Sequence, residues 1–262
     1  MVHEYVYDDH GLRLDLHLPE AVSELGSPPP LVVFVHGGGW RAGDRGTFVP
    51  TMGLNSEAPE PSPFQRIAEA GIAVASVDYR LSGEAVFPAQ VKDVRAALTW
   101  LRAGAGELGV DASRVVLWGE SAGATVAALV ALEPGSAVRG LIDWYGPSDL
   151  EALAASLGQS DDPATREAGW LGHAVSADPE RARAASPRHQ VRPGALPTLI
   201  AHGLADEAVP HSQSELFAAT LTGVGASVEL TLVPGAGHLW QGDVDRGALL
   251  SAAIAFCTRV LG

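Results

Sequence analysis

A length of 262 residues fits one large α/β domain with a substantial buried core. Lys and Arg number 17 against 31 Asp and Glu, a net charge of −14 with Lys92 the only lysine, which argues against a nucleic-acid partner. The single cysteine, Cys257, excludes an intrachain disulfide, and no apolar run approaches membrane-spanning length, so integral membrane association is not expected.

In chain order, the opening Met1-Val2-His3-Glu4-Tyr5 lacks a basic stretch followed by an apolar one. No signal peptide is read there, and cytoplasmic residence is the expectation. Strands at 4–8 and 12–18 around Asp9-His10-Gly11 predict a hairpin. The apolar run 31–35 predicts a buried strand, directly followed by His36-Gly37-Gly38-Gly39-Trp40. The N–H groups of such a glycine run can face a developing oxyanion. Trp40 either walls a pocket or packs beneath this loop; it is assigned, with Trp240, to substrate binding. A strand at 72–77 leads into Val77-Asp78-Tyr79-Arg80-Leu81, where Asp78 and Arg80 read as an ion pair or loop brace. Over 89–103, Val91, Val94, Leu98 and Leu101 share one helical face.

The run 115–118 predicts another strand, followed by Gly119-Glu120-Ser121-Ala122-Gly123 and an Ala- and Leu-rich helix over 124–132. This is G-x-S-x-G, a serine on a sharp strand-to-helix turn, where a side chain at Gly119 or Gly123 would collide with the neighbouring strand or helix. Glu120 occupies the variable position and reads as support for the turn. After a strand at 141–144, the stretch 150–193 breaks the alternation. It is read as a small cap insertion within a single domain spanning 1–262, with Trp170 and Leu171 expected to line an acyl or aryl pocket. Strands at 198–201 and 228–233 flank a helix at 212–221, and the loops after them carry Asp206 and His238. The closing pattern Leu249, Leu250, Ala253, Ile254, Cys257, Val260, Leu261 reads as a helix face with a buried thiol. Strands alternating with helices imply an α/β fold with a mostly parallel sheet covered on both faces.

A serine hydroxyl needs a neighbouring base, and the base needs an acid to orient it. Such turns are followed in chain order by an acid and then a histidine. Ser121, Asp206 and His238 are therefore expected to meet at the carboxyl edge of the sheet, where loops after consecutive strands gather. The N–H groups of Ala122, Gly38 and Gly39 are the expected oxyanion donors. Together these features point to serine-dependent acyl transfer. Asp149 competes with Asp206, because it also follows a strand; its other reading is an N-cap before Leu150. His36 and His202, at strand ends beside glycines, read as loop braces, and His211 as solvent-facing. No metal-ligand clustering and no phosphate loop are visible, so no cofactor is expected.

On these residues the chain resembles the α/β-hydrolase superfamily of serine esterases. The HGGGW string resembles its bacterial feruloyl-esterase-like and acetyl-esterase branch, with kynurenine formamidases and hormone-sensitive-lipase-like esterases as near neighbours. The resemblance begins at Gly11-Leu12-Arg13-Leu14-Asp15-Leu16-His17-Leu18-Pro19 and includes Trp144-Tyr145-Gly146-Pro147-Ser148-Asp149. It ends at Gly235-Ala236-Gly237-His238. It departs at Leu239-Trp240, where relatives commonly carry Gly-Phe, and at 53–63, a longer connection than usual. The resemblance implies an α/β-hydrolase fold and hydrolysis of short- to medium-chain acyl or aryl esters through an acyl-enzyme on Ser121. The implied partner is a small-molecule ester. Amide hydrolysis by an aryl formamidase would use the same three residues and stays open. A retired fold that only binds, and association into a homo-oligomer, also stay open.

Overall fold

The computed structural model describes residues 1–20, 26–48 and 61–262. The long connection expected at 53–63 lies, up to residue 60, outside the described residues. The strands are β1 (Val2–Val6), β2 (Arg13–His17), β3 (Pro30–Val35), β4 (Ala73–Val77), β5 (Asp111–Glu120), β6 (Gly140–Trp144), β7 (Thr198–Gly203) and β8 (Val228–Val233). They form one sheet in the order β1-β2-β4-β3-β5-β6-β7-β8. β1 and β2 make the hairpin, β2 pairs antiparallel with β4, and every later pairing is parallel. β5 is longer than its apolar run predicts. Its polar first residues pair through an irregularity at Pro30 and Leu31, and its last two pair with Asp143 and Trp144.

The helices are α1 (Pro63–Glu69), α2 (Ala89–Ala103), α3 (Ala105–Leu108), α4 (Ala122–Ala131), α5 (Leu150–Ser156), α6 (Arg166–Leu171), α7 (Pro179–Ala184), α8 (Ser212–Gly223) and α9 (Arg246–Leu261). Alternate strand residues feed two cores, because successive side chains leave a strand on opposite faces. Leu31, Val33 and Val35 pack with Val94 and Leu98 of α2, Val126 of α4 and Phe217 of α8. Val32 and Phe34 pack with Phe64 and Ile67 of α1 and with Phe256 and Cys257 of α9. Each large apolar side chain so buried contributes about 1.5–3 kcal/mol. Burial also pushes the Cys257 thiol up. No helix among the described residues is long and apolar enough to cross a membrane.

Between 150 and 193 the helices are short and individually capped. Asp149, Thr165 and Asp178 side chains accept from the N–H groups of Ala152, Ala168 and Arg181 at 3.1, 3.0 and 2.9 Å. Leu150, Trp170, Leu171, Val175 and Ala182 from this segment join the same core as α2 and α4.

The join from β5 to α4 is closely packed. A Cβ on Gly119 would lie 2.4 Å from the Gly123 carbonyl oxygen, and one on Gly123 would lie 2.2 Å from both the Val35 and His36 carbonyl oxygens. Nearby, β6 carries a carboxylate into the core: Asp143 is 2 % exposed, and its Oδ1 accepts from the Gly146 N–H at 2.8 Å. Burial raises its pKa from the usual 3.8 to about 6, against the opposing pull of that hydrogen bond and of His202.

Two outcomes are expected. Gly123→Ala should lower the unfolding free energy by about 3 kcal/mol or prevent folding, since neither carbonyl can retreat from the sheet. A urea midpoint equal to the parent's would refute that rigidity. For Asp143 the native state holds its proton more tightly than the unfolded chain does. Its contribution is therefore favourable in acid and is lost, by about 3 kcal/mol, as pH rises from about 4 to above 6. The stability of Asp143→Asn relative to the parent should rise by that amount over the same range in urea titrations. A difference that does not change with pH would mean that Asp143 titrates normally.

Candidate active site

Ser121 stands between β5 and α4 with φ 52° and ψ −124°, a strained conformation held because its N–H donates to the Trp144 carbonyl at 2.8 Å. Such strain costs about 1–3 kcal/mol and pushes the side chain clear of its own backbone. Its Oγ lies 3.0 Å from His238 Nε2. His238 Nδ1 in turn lies 2.6 Å from Asp206 Oδ2. Because an ionised carboxylate only accepts, Nδ1 carries the proton and donates it, which leaves Nε2 as acceptor for the serine hydroxyl.

The Asp206 carboxylate is satisfied on both oxygens. Oδ1 accepts from the N–H groups of Ala208 and Val209, each at 2.9 Å, and Oδ2 accepts from His238 and from His202 Nε2 at 3.2 Å. Burial works to raise its pKa, but hydrogen bonds from His202, His238 and Val209 outweigh it and hold the carboxyl well below the usual range. His202 is fully buried, with Nε2 also 2.8 Å from the Val209 carbonyl and Nδ1 2.7 Å from Ser214 Oγ. Two acceptors at Nε2 place the proton there, so the Ser214 hydroxyl donates to Nδ1. The loop brace expected of His202 is present. Its contact with Asp206 was not foreseen, although His202-Gly203 at a strand end just before the acid was the available signal.

His238 begins a short 3₁₀ turn in which Leu239 and Trp240 have φ of 62° and 56°. This is the place where the resemblance predicts glycine, and left-handed backbone explains that preference. Here the turn is held by Trp240, which is fully buried and edge-on to Trp144 and Tyr145, with ring centroids at 5.4 and 5.0 Å. Its carbonyl accepts from Arg246 Nε and Nη2 at 3.1 and 2.8 Å. Trp240 is thus an anchor in the core and not the substrate-binding residue expected from sequence. Tyr145, which the sequence did not single out, sets its ring 5.0 Å from that of His238. Burial first, then Glu120 and Asp206, push its hydroxyl well up, so it stays a neutral phenol.

The glycine loop touches the serine turn: a Cβ on Gly37 would lie 3.4 Å from Ser121 Cβ. His36 fixes the start of the loop. Its Nδ1 donates to the Gly37 carbonyl at 2.7 Å, and its ring stacks on Tyr79 at 4.3 Å, whose hydroxyl donates to the His36 carbonyl at 3.0 Å. Burial pushes the His36 imidazole down, toward the neutral form. Gly38 and Gly39 follow with φ of 113° and 62°. No described residue accepts a backbone hydrogen bond from Gly38, Gly39 or Ala122, the first residue of α4. Trp40 is 1 % exposed and stacks on the buried Trp170 with ring planes 2° apart, so it packs beneath the loop and does not wall a pocket. Trp170 and Leu171, expected as pocket linings, are likewise 0 % and 1 % exposed.

Other candidates fall elsewhere. Asp149 caps α5 and is held by Arg188 at 2.7 Å and His189 at 3.3 Å. Asp78 and Arg80 are braces but not partners: Asp78 pairs with Arg45 at 2.9 Å and Arg80 with Asp93 at 2.6 Å. His211 is half-buried, 3.7 Å from Glu215.

The chain is similar to known proteins in sequence and in fold. The family model described as BD-FAE matches residues 14–221. Esterase LipQ of Mycobacterium tuberculosis is 30% identical over 235 residues, 82% of this chain and 51% of that protein. Carboxylesterase NlhH of the same species is 41% identical over 102 residues, 39% of this chain and 28% of that one. The chain spans about half the length of LipQ and of esterase LipC, which it matches over most of its own length. Among solved structures, a truncated carbohydrate esterase from gut microbiota superposes with a TM-score of 0.82 at 24% identity, covering 99% of this chain and 96% of that one. The propionate-bound esterase Est2 of Thermogutta terrifontis gives a TM-score of 0.77 at 28% identity, covering 99% and 94%. The sheet order and these likenesses identify the α/β-hydrolase fold, and by the match over most of its length the chain belongs to the BD-FAE family.

Proposed function

We propose that this protein is a carboxylesterase that hydrolyses short- to medium-chain acyl or aryl esters through an acyl-enzyme on Ser121. The observation that carries the reading is the line of hydrogen bonds from Ser121 Oγ through His238 to Asp206, 3.0 and 2.6 Å long, beside the glycine loop. The esterase and carboxylesterase names of its relatives support the same reaction.

Asp206 holds the His238 tautomer whose Nε2 accepts the serine proton. As Ser121 Oγ attacks the ester carbonyl, that proton passes to Nε2 and negative charge develops on the carbonyl oxygen. The N–H groups of Gly38, Gly39 and Ala122 receive this charge, a contribution of about 3–4 kcal/mol per donor in comparable sites. The imidazolium, stabilised by Asp206, then protonates the departing alkoxide. Water attacks the acyl-enzyme, gives a proton to Nε2, and the carboxylic acid leaves with Ser121 restored. Segment 150–193 acts as a small cap. A cap of short helices favours small or medium acyl groups over lipid aggregates.

Hydrolysis of 4-nitrophenyl butyrate tests the assignment. Ser121→Ala should lower kcat on the order of 10⁴-fold or more while remaining folded. Parental turnover in that variant would mean a different nucleophile. Asp206→Asn should lower kcat by roughly 10³–10⁴-fold, far more than Asp149→Asn; the reverse order would move the acid to Asp149. Since a protonated imidazole cannot take the serine proton, kcat/KM should climb from acid to neutral pH, and a flat profile over about pH 5–8 would count against a histidine base. An aryl formamide assayed in parallel separates ester from amide preference.

A further inference from the structure

Arg166 is the first residue of α6, and its aliphatic stem lies on the glycine loop. A Cβ built on Gly39 would come within 2.7 Å of Arg166 Cδ and 3.2 Å of Cγ. The placement is firm. One helical turn on, and so on the same face, Trp170 stacks on Trp40 with ring centroids 4.3 Å apart. Trp170 is tied down in turn: its Nε1 donates to Gln90 at 2.9 Å and its carbonyl accepts from the Phe87 N–H at 2.8 Å. Residues 166 and 170 thus clamp Gly39 and Trp40, two and three residues beyond the glycine that touches the Ser121 turn.

Arg166 is half-buried, and it makes no hydrogen bond or ion pair with any described residue. Every other half-buried arginine among the described residues donates to a carboxylate, a carbonyl or a hydroxyl. A partly desolvated guanidinium without an acceptor is costly, and its planar fork matches a carboxylate with two parallel hydrogen bonds. In a chain of net charge −14, a cation beside the glycine loop with no acidic partner among the described residues is conspicuous.

We propose that Arg166 binds a carboxylate on the substrate, so that the preferred esters are anionic: hemiesters of dicarboxylic acids, or esters whose alcohol carries a carboxylate. This rests on the ester-hydrolysis reading above and narrows its substrate class. The side of the ester that carries the charge is read by two probe pairs. 4-Nitrophenyl hydrogen glutarate against 4-nitrophenyl butyrate places it on the acyl group; 4-acetoxybenzoate against phenyl acetate places it on the leaving group.

The experiment compares kcat/KM ratios, anionic over neutral, in the parent, in Arg166→Met, which keeps an aliphatic stem on Gly39, and in Arg166→Lys. The ratio for one pair should fall about tenfold or more in Arg166→Met and recover in part in Arg166→Lys. Ratios unchanged for both pairs would overturn the proposal, because lost packing alone affects charged and neutral esters alike. A second readout needs no turnover. Calorimetric titration of Ser121→Ala with monoethyl glutarate and with 4-acetoxybenzoate should show, for one of the two, a Kd about tenfold weaker once Arg166→Met is added. If no ester is cleaved but this affinity falls, the anion site stands and the esterase reading fails. If Ser121-dependent cleavage is found with unchanged ratios and affinity, the esterase reading stands and Arg166 is excluded.

Discussion

Helix α4 approaches the carboxyl ends of β3 and β5 so closely that neither Gly119 nor Gly123 has room for a methyl group. Much of the site depends on that contact. It forces the chain to reverse at Ser121 with a positive φ, which lifts the hydroxyl off the sheet edge. It also brings the start of the glycine loop, as it leaves β3, against the serine turn, since β3 and β5 are neighbours in register. Two strings far apart in sequence, at 36–40 and 119–123, become adjacent because their strands pair. The strained serine backbone is offset by the apolar burial of α4, whose ten residues are all buried.

The opposite side of the site is organised around a buried carboxylate. Asp206 is surrounded by four donors, two from its own loop and two from imidazoles, and this is what allows it to remain ionised where burial alone would neutralise it. His202 and His238 approach one oxygen from different directions, so the carboxylate cannot rotate without losing a partner. The histidine turn has its own constraint. Leu239 and Trp240 occupy left-handed backbone without glycine, and the cost is met by burying the Trp240 indole against Trp144 and Tyr145. Tertiary packing has here replaced a conformational freedom that glycine would otherwise supply.

Tryptophans dominate the support of both loops. Trp40 and Trp170 form one stack, on the face of the sheet shared with α2 and α4, and Trp118, Trp144 and Trp240 form an edge-to-face cluster on the other. The first joins segment 150–193 to the glycine loop, and the second lies beneath the histidine turn. A substitution in either cluster would therefore reach the site through backbone position and not through substrate contact.

What the sequence by itself determined was local. Short unbroken apolar runs marked the central strands, three- and four-residue spacing marked α2, and paired glycines marked turns too tight for side chains, because each of these is set by backbone geometry within a few residues. The order of motifs and the strand-end positions of Asp206 and His238 were readable for the same reason. Orientation was not. That His202 shares the Asp206 carboxylate with His238, that Asp78 and Arg80 take separate partners, and that Trp40 and Trp240 turn into the core are consequences of which strands are neighbours. Residue type indicates that an indole will be buried or a carboxylate paired, but the burying surface and the pairing cation come from elements distant in the chain. Only their packing in three dimensions decides which surface and which partner.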